Sequence, residues 1–354
     1  MKRLLILALA LLTICTACHR EEKKSVLDTT FLVPVKQNGM FGYCDAKGNV
    51  VIPPTYVAAA LFSEGLAAVH QNGKVGYIDT KGTMIIPPTF DTGLIFMDGR
   101  AAVEKGGKWG YIDQSGKMVV DADLVATFAF RDGFASVIVA KDGIVKAGFI
   151  DTNGKFKIKP QFDDAAHFSE GLAAVKIDGK HGYVDKTGTM VIPPSYYAAA
   201  MFHDGRAMVK VNGKFGIIGY IDRTGKEVVP AKYQDGTNYH ENIASVKEAN
   251  GKWILIDSAG KQIINREFGA PTIFTEGLAP VMIDKKAGYM DTKGNMVIKP
   301  QFDAGSIFVN GIAPVKVGNK CGYINKKGDW VIKPEYEWDQ HTVDMLTSFY
   351  TTFK

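Results

Sequence analysis

The chain has 354 residues, 46% of them apolar and 22% charged, a balance that supplies a packed core and excludes global disorder. Its formal net charge is +5, and basic and acidic residues are mixed along its length, so no clustered basic face points to a nucleic-acid partner. Glycine is in surplus, 38 residues or roughly a tenth of the chain where about 7% is usual, and that surplus has to be spent in turns.

The chain opens on an export segment. Met1-Lys2-Arg3 gives a positive start, and Leu4 to Ile14 is an apolar run of eleven residues, short of the roughly 20 needed to cross a bilayer. The run ends in Cys15-Thr16-Ala17-Cys18, which resembles the lipobox of bacterial lipoproteins, with Cys15 standing where an aliphatic residue is usual. That resemblance implies cleavage before Cys18, a diacylglycerol on its sulfur, and a further acyl chain on its amine. Two or more chains anchor a protein stably where one is marginal. Residue 19 is His rather than Asp, which favours delivery to the outer membrane. Glu21-Glu22 resembles the surface-export signals of some lipoproteins, which leaves both the periplasmic and the cell-surface face open. Removing Lys2 and Arg3 leaves 40 basic and 37 acidic residues, about +3. The expected layout is a signal peptide at 1–17, a lipidated flexible tether at 18–30, nine repeats over 31–340, and a terminal cap or tail at 341–354.

Self-similarity is the main signal of the remainder. Gly-aromatic pairs recur at Gly42-Tyr43, Gly76-Tyr77, Gly110-Tyr111, Gly148-Phe149, Gly182-Tyr183, Gly219-Tyr220, Gly288-Tyr289 and Gly322-Tyr323, with a degenerate copy at Ile254-Leu255. The steps between them are 34, 34, 38, 34, 37, 35, 34 and 34 residues. In the unit Ser63 to Phe96, Leu66 to Val69 and Val75 to Ile78 flank Asn72-Gly73, a strong hairpin signal. Asp79-Thr80-Lys81-Gly82 closes the second stretch, and Met84 to Ile86 forms a third, ended by Pro87-Pro88, which cannot continue a central strand. An irregular return closes on Phe96. No stretch shows helical periodicity, and the Pro-Pro pair excludes helical repeats of the same length. Each unit therefore reads as a three-stranded β-meander.

These units resemble WG repeats, whose pattern Lys-x-Gly-Tyr-Ile-Asp-x-x-Gly-x-x-Val-Ile-Pro-Pro-x-Tyr/Phe, then Phe-x-Glu-Gly-Leu-Ala-x-Val, is nearly whole at Lys74 to Phe90 and Lys180 to Tyr196. The name-giving Trp-Gly survives only at Trp109-Gly110. The resemblance spans Phe31 to Gln340 and implies a repeat of bacterial surface and exported proteins. It says little about function.

The repeated acids Asp45, Asp79, Asp113, Asp151, Asp185, Asp222, Asp257 and Asp291 invite comparison with a metal-ligand ladder. Asn325 at the ninth position favours a turn role, since Asn caps a turn equally well and ligates metals poorly. The recurrent aromatics Tyr77, Phe90 and Phe96 are expected in the core between neighbouring units, because one meander cannot bury its own apolar face. Lys74, Lys108, Lys180, Lys214 and Lys252 are expected as solvated strand ends. The seven His residues (His19, His70, His167, His181, His203, His240, His341) show no recurrent position and no metal-type spacing, and each is expected at the surface. Cys44 and Cys321 are expected as buried free thiols. No nucleophile elbow or P-loop is present, so neither a catalytic residue, a metal site nor a cofactor is predicted, and Cys18 is the one site residue named.

The informative departures from the repeat lie in four units. The fourth carries extra residues within Ile138 to Ala147 and the sixth around Phe215 to Ile218; the seventh reads Trp253-Ile254-Leu255-Ile256, and the third lacks its Pro-Pro and reads Val120-Asp121-Ala122-Asp123. The span Arg131 to Phe274 is the candidate binding region, since insertions in repeat arrays map to loops, often on a binding face. Two all-β architectures accommodate such units: an open superhelical stack, or a closed propeller, whose blades usually have four strands and about 40–45 residues. Three readable strands, a shorter period and the lack of a unit split between the two ends favour the open stack. The function expected is a non-catalytic, lipid-anchored envelope protein presenting a β-repeat surface to an envelope or surface protein or a glycan. The alternatives are a structural spacer without a ligand, or a cryptic hydrolase. A specific binder should show one face of residues departing from the repeat, whereas a spacer should vary evenly.

Overall fold

Alternating strands punctuated by Asn-Gly and Asp-x-x-Gly turns fold into nine small antiparallel sheets, six of four strands and three of three, in the computed structural model, which describes residues 31–211 and 217–353. The export segment, Cys18, the tether and residues 212–216 of the sixth unit's insertion lie outside the described residues. The second sheet shows the construction. Ala58–Ala59, Leu66–Gln71, Lys74–Asp79 and Met84–Phe90 pair in that order, each antiparallel to the next. Asn72 and Gly73 both have positive φ, 53° and 76°, as a two-residue hairpin turn requires.

The repeated Asp serves the turn, as its spacing predicts. In Asp79-Thr80-Lys81-Gly82, Asp79 Oδ1 accepts the amides of Lys81 at 2.9 Å and Thr83 at 2.8 Å, while Gly82 supplies a φ of +83°. Asn325 does the same, its Oδ1 accepting from Lys327 and Asp329. These hydrogen bonds hold the Asp79 carboxyl below its ordinary range.

The glycine of each Gly-Tyr pair answers a close approach. The outer strand bulges at Pro87-Pro88 and passes directly over Gly76, where a Cβ would meet Ile86 O at 2.6 Å and Pro88 N at 2.8 Å. The tyrosine beside it is wholly buried, and its ring stands edge-on to Phe96 of the next blade, which begins at Thr92–Gly93, with centroids 5.0 Å apart. Its hydroxyl donates to Leu94 O, also of the next blade, at 2.9 Å. Tyr43, Tyr111, Tyr183, Tyr220 and Tyr289 make the same reach to Ala60, Phe128, Ala200, Thr237 and Ser306. The core therefore lies between blades, as expected for the aromatics.

The array is closed, which corrects the open stack favoured by the sequence. In each successive pair of blades the turn glycine packs on an aliphatic side chain at the outer edge of the preceding blade: Gly82 on Ile52, Gly116 on Ile86, Gly154 on Val120, Gly188 on Ile158, Gly225 on Ile192, Gly260 on Val229, Gly294 on Ile264 and Gly328 on Ile298. The ninth contact is Gly48 of the first blade on Ile332 of the last. A second repeated contact also closes. Asp91 accepts the amide of Gly106 and Asp303 that of Gly318; across the ends, Glu337 accepts that of Gly39. Val33, Val35 and Cys44 pack with Ile332, Tyr336 and Cys321 in one core, and Lys36 pairs with Asp339 at 2.9 Å. Among the described residues no strand is exchanged at this seam. The first and last blades meet face to face, as all the others do.

The fourth strand that seemed missing is the two-residue inner strand, typified by Ala58–Ala59, hidden within what reads as an irregular return. Among the described residues the eighth blade shows none. After the outer strand of the last blade, Trp330–Glu337, the chain turns instead into a helix, α1 (Gln340–Phe353). Asp339 caps α1 by accepting from the amide and hydroxyl of Thr342. Leu346 on α1 packs with Leu61, Ile307 and Val309, all on inner segments, so α1 lies against the second and ninth blades at the axis.

Candidate functional site

The inner strands and the turns that follow them face the axis, and α1 divides the space they enclose. On one side is a mainly apolar chamber of about 490 Å³, with Leu61, Leu94, Ile95 and Phe128 facing Met345 and His341 of α1. On the other is a polar chamber of about 730 Å³, lined by the turns of successive blades from Arg131 to Glu276 and reached by Tyr350 of α1. Most of that lining falls within the span Arg131 to Phe274 picked out from the sequence.

The polar chamber is built from a four-residue pattern repeated around the ring. First comes a buried aromatic: Phe96, Phe130, Phe168, Phe202, Tyr239, Phe274 or Phe308. Two residues later stands an acid in the left-handed conformation, such as Glu64, Asp98, Glu170, Asp204, Glu241 or Glu276, with φ between 50° and 54°. A non-glycine residue there is strained, and a specific contact offsets the strain. Each of these carboxylates accepts the turn amide of the next blade: Glu64 from Gly99, Asp98 from Gly133, Glu170 from Gly205, Asp204 from Asn242, Glu241 from Gly277, and Glu276 from Gly311. A chain of carboxylate–amide links thus runs around the axis.

Between the recurrent aromatic and the recurrent acid sits a position that is not fixed from blade to blade. It reads Ser63, Met97, Arg131, Ser169, His203, His240, Thr275 and Val309. His203 and His240 therefore do share a recurrent position, contrary to the sequence reading, and their rings lie 5.2 Å apart. Aligning the units on Glu/Asp-Gly instead of Gly-Tyr would have revealed it. Nor are these histidines surface residues. His203 is 8% exposed, its Nε2 has no hydrogen-bond partner, and burial pushes its pKa down to about 4, with His240 and Arg131 adding to the fall and Asp204 opposing it. Burial lowers His240 as well. Burial also lowers Arg131, against the raising effects of Asp132 and Glu170.

Other sequence candidates are placed elsewhere. Lys74 is not simply solvated: it pairs with Asp91, as Lys146 does with Asp163 and Lys286 with Asp303, both at 2.6 Å. Cys44 and Cys321 are buried free thiols on the two blades of the seam, and Cys44 Sγ lies 2.9 Å from the Tyr336 hydroxyl. The fourth unit's extra residues lengthen one hairpin, Phe134–Lys141 with Ile144–Asp151, and leave Ile144 and Val145 exposed near its tip. Among the described residues no group of three or more His, Cys, Asp and Glu side chains is placed to hold a metal ion.

A closed ring of nine β-meander blades around an axial cavity defines a repeat-built β-propeller. The blades match the WG containing repeat over residues 41–74, 76–109, 109–139, 148–180, 182–215, 218–253, 255–286, 288–321 and 322–338, and the chain belongs to that family. Among solved structures it is similar to BamB from Moraxella catarrhalis, at 13% identity over 76% of this chain and 93% of that one, with a TM-score of 0.42. It is also similar to Hsv2 of Kluyveromyces lactis, at 10% identity over 73% and 93%, with a TM-score of 0.37. Likenesses at these scores carry no further argument. No curated protein matches the sequence.

Proposed function

We propose that this protein is a non-catalytic, lipid-anchored envelope protein whose propeller ring holds a partner protein or a glycan. The repeat propeller suggests an interaction scaffold. The variable axial position supports specific binding over a plain spacer. Its neighbours are constant because they hold blades together, whereas Arg131, His203, His240 and Thr275 occupy equivalent backbone sites with different chemistry and line one cavity. A spacer has no use for variation gathered at one place. The recurrent carboxylates that could serve chemistry are committed to turn and interblade amides, which supports a non-catalytic reading. The anchored reading is supported by Cys15-Thr16-Ala17-Cys18, and the outer-membrane reading by His19 in place of Asp.

The test is metabolic labelling with palmitate and digestion of intact cells by external protease, for the natural protein and for Cys18→Ala. The natural protein should incorporate label and stay with the envelope, and the variant should do neither. Loss of the ring to protease places it on the cell surface; protection until the envelope is opened places it in the periplasm. Equal fractionation of the two proteins without label would defeat the anchored reading.

A further inference from the structure

We propose that the polar axial chamber is a binding site for an organic cation carrying a primary ammonium group. The inference does not depend on lipid anchoring. Four carboxylates, those of Glu170, Asp204, Glu241 and Glu276, line the chamber against the single guanidinium of Arg131. Lys326 offsets one of them, pairing with Glu276 at 3.0 Å. Each carboxylate gives oxygen lone pairs to one interblade amide and retains acceptor capacity, since two ionised oxygens offer about four lone-pair sites.

Two further polar atoms have no hydrogen-bond partner among the described residues. His203, more than nine-tenths buried, lines the chamber with its Nε2 unsatisfied, and Thr275 Oγ1 beside the same chamber is likewise buried and unsatisfied. A buried polar atom without a hydrogen bond costs about 1–3 kcal/mol, so each such atom in a native fold calls for an explanation. A neutral imidazole has one acceptor nitrogen, and burial keeps His203 neutral; with the proton on Nδ1, the unsatisfied Nε2 is that acceptor. The lining is thus rich in acceptors and poor in donors, and it faces a cavity large enough for a small molecule.

An ammonium group, with one positive charge and three N–H donors, is the complement of such a lining. A bare metal ion is not. The carboxylates sit on separate blades, held apart by their amide contacts, and among the described residues no three acidic, His or Cys groups converge on one point. A molecule several atoms across reaches acceptors that a single ion would leave apart.

The experiment is calorimetric titration of the full chain at low ionic strength with glucosamine, cadaverine and, as a neutral control, glucose. Both amines should bind and glucose should not. Tighter binding of glucosamine than of cadaverine would identify an amino sugar as the source of the ammonium, and equal binding would identify the amine alone. The double variant Glu170→Gln/Glu241→Gln should weaken binding about tenfold or more, the loss of charge-assisted contacts, while each Gln oxygen still accepts its interblade amide. Arg131→Gln should tighten binding, a direction that damage to the fold would not produce. Thermal unfolding followed by circular dichroism checks that both variants fold. Glucose binding as well as glucosamine, no binding of either amine, or equal affinity in the double variant would each overturn the proposal.

Discussion

The fifth and seventh blades solve the same packing problem with different residues. In the fifth, Gly182 lets the outer strand Met190–Tyr196 cross the blade, and Tyr183 sends its hydroxyl to Ala200 O of the next blade at 2.7 Å. The seventh has Ile254-Leu255 in place of that pair. Its outer strand is replaced by an irregular segment that touches the sheet at Trp253–Phe268, at Ile256–Gln262 and through Ile263 N to Leu255 O at 3.0 Å, so no regular strand crosses where Ile254 stands. Leu255 cannot donate a hydrogen bond. The residue opposite it in the sheet is Ser245, where the fifth blade has Ala174 opposite Tyr183. Ser245 Oγ donates to Thr272 O of the next blade at 2.6 Å and accepts from Thr272 N at 3.1 Å. The fourth blade repeats the exchange, with Phe149 opposite Ser136 and Ser136 Oγ donating to Ala165 O at 2.7 Å. The lesson is that a hydroxyl in the interblade contact is the constant, and either strand can supply it.

The largest expected effect breaks the first half of this comparison. Gly182→Ala puts a Cβ 2.7 Å from Pro194 N, against backbone that cannot rotate away, and should cost about 3 kcal/mol in urea unfolding. Ile254→Ala, with no strand crossing it, should lose only the packing of its own side chain.

The next contrast is between the Ser169 turn of the fifth blade and the His203 turn of the sixth. Above pH 6.5, His203 is neutral whether the chain is folded or not. Below that, the unfolded chain takes up the proton first, and stability falls until the folded form also protonates near pH 4. Over that window the loss is about 3 kcal/mol, and His203→Ser should flatten this limb of a stability–pH profile.

Ser245→Ala leaves a buried N–H and a buried C=O of Thr272 short of a partner and should cost about 2 kcal/mol. The smallest effect is the most telling. Tyr183→Phe should cost about 1 kcal/mol, and adding Ala174→Ser should restore part of it by rebuilding the arrangement of the seventh blade. A double variant less stable than the sum of the two single changes would show that the hydroxyl is not transferable.

The three longer strands of each unit and the turn role of Asp79 and its counterparts were legible in the sequence because each depends on neighbours within one unit, and the buried aromatics because one meander cannot bury its own apolar face. Ring closure was not. Gly48 would read the same whether Ile332 or solvent lay against it, and the inner strand Ala58–Ala59 is too short to show alternation. The axial site was half legible. Its span could be marked from irregular units, but His203 and His240 became equivalent only when the turn acids were recognised as a repeated element whose partner lies in another blade.

Closure also changes how the molecule comes apart. An open array has two terminal repeats, each held on one side only, and it can fray inward from them. Here Gly48 on Ile332 and Gly39 on Glu337 give the first blade two neighbours, so no blade is an end. Detaching any one of them breaks two interfaces at once, and the next becomes vulnerable only afterwards. Unfolding of the ring is therefore set by its first opening, and partial states that a stack of the same repeats would populate are suppressed.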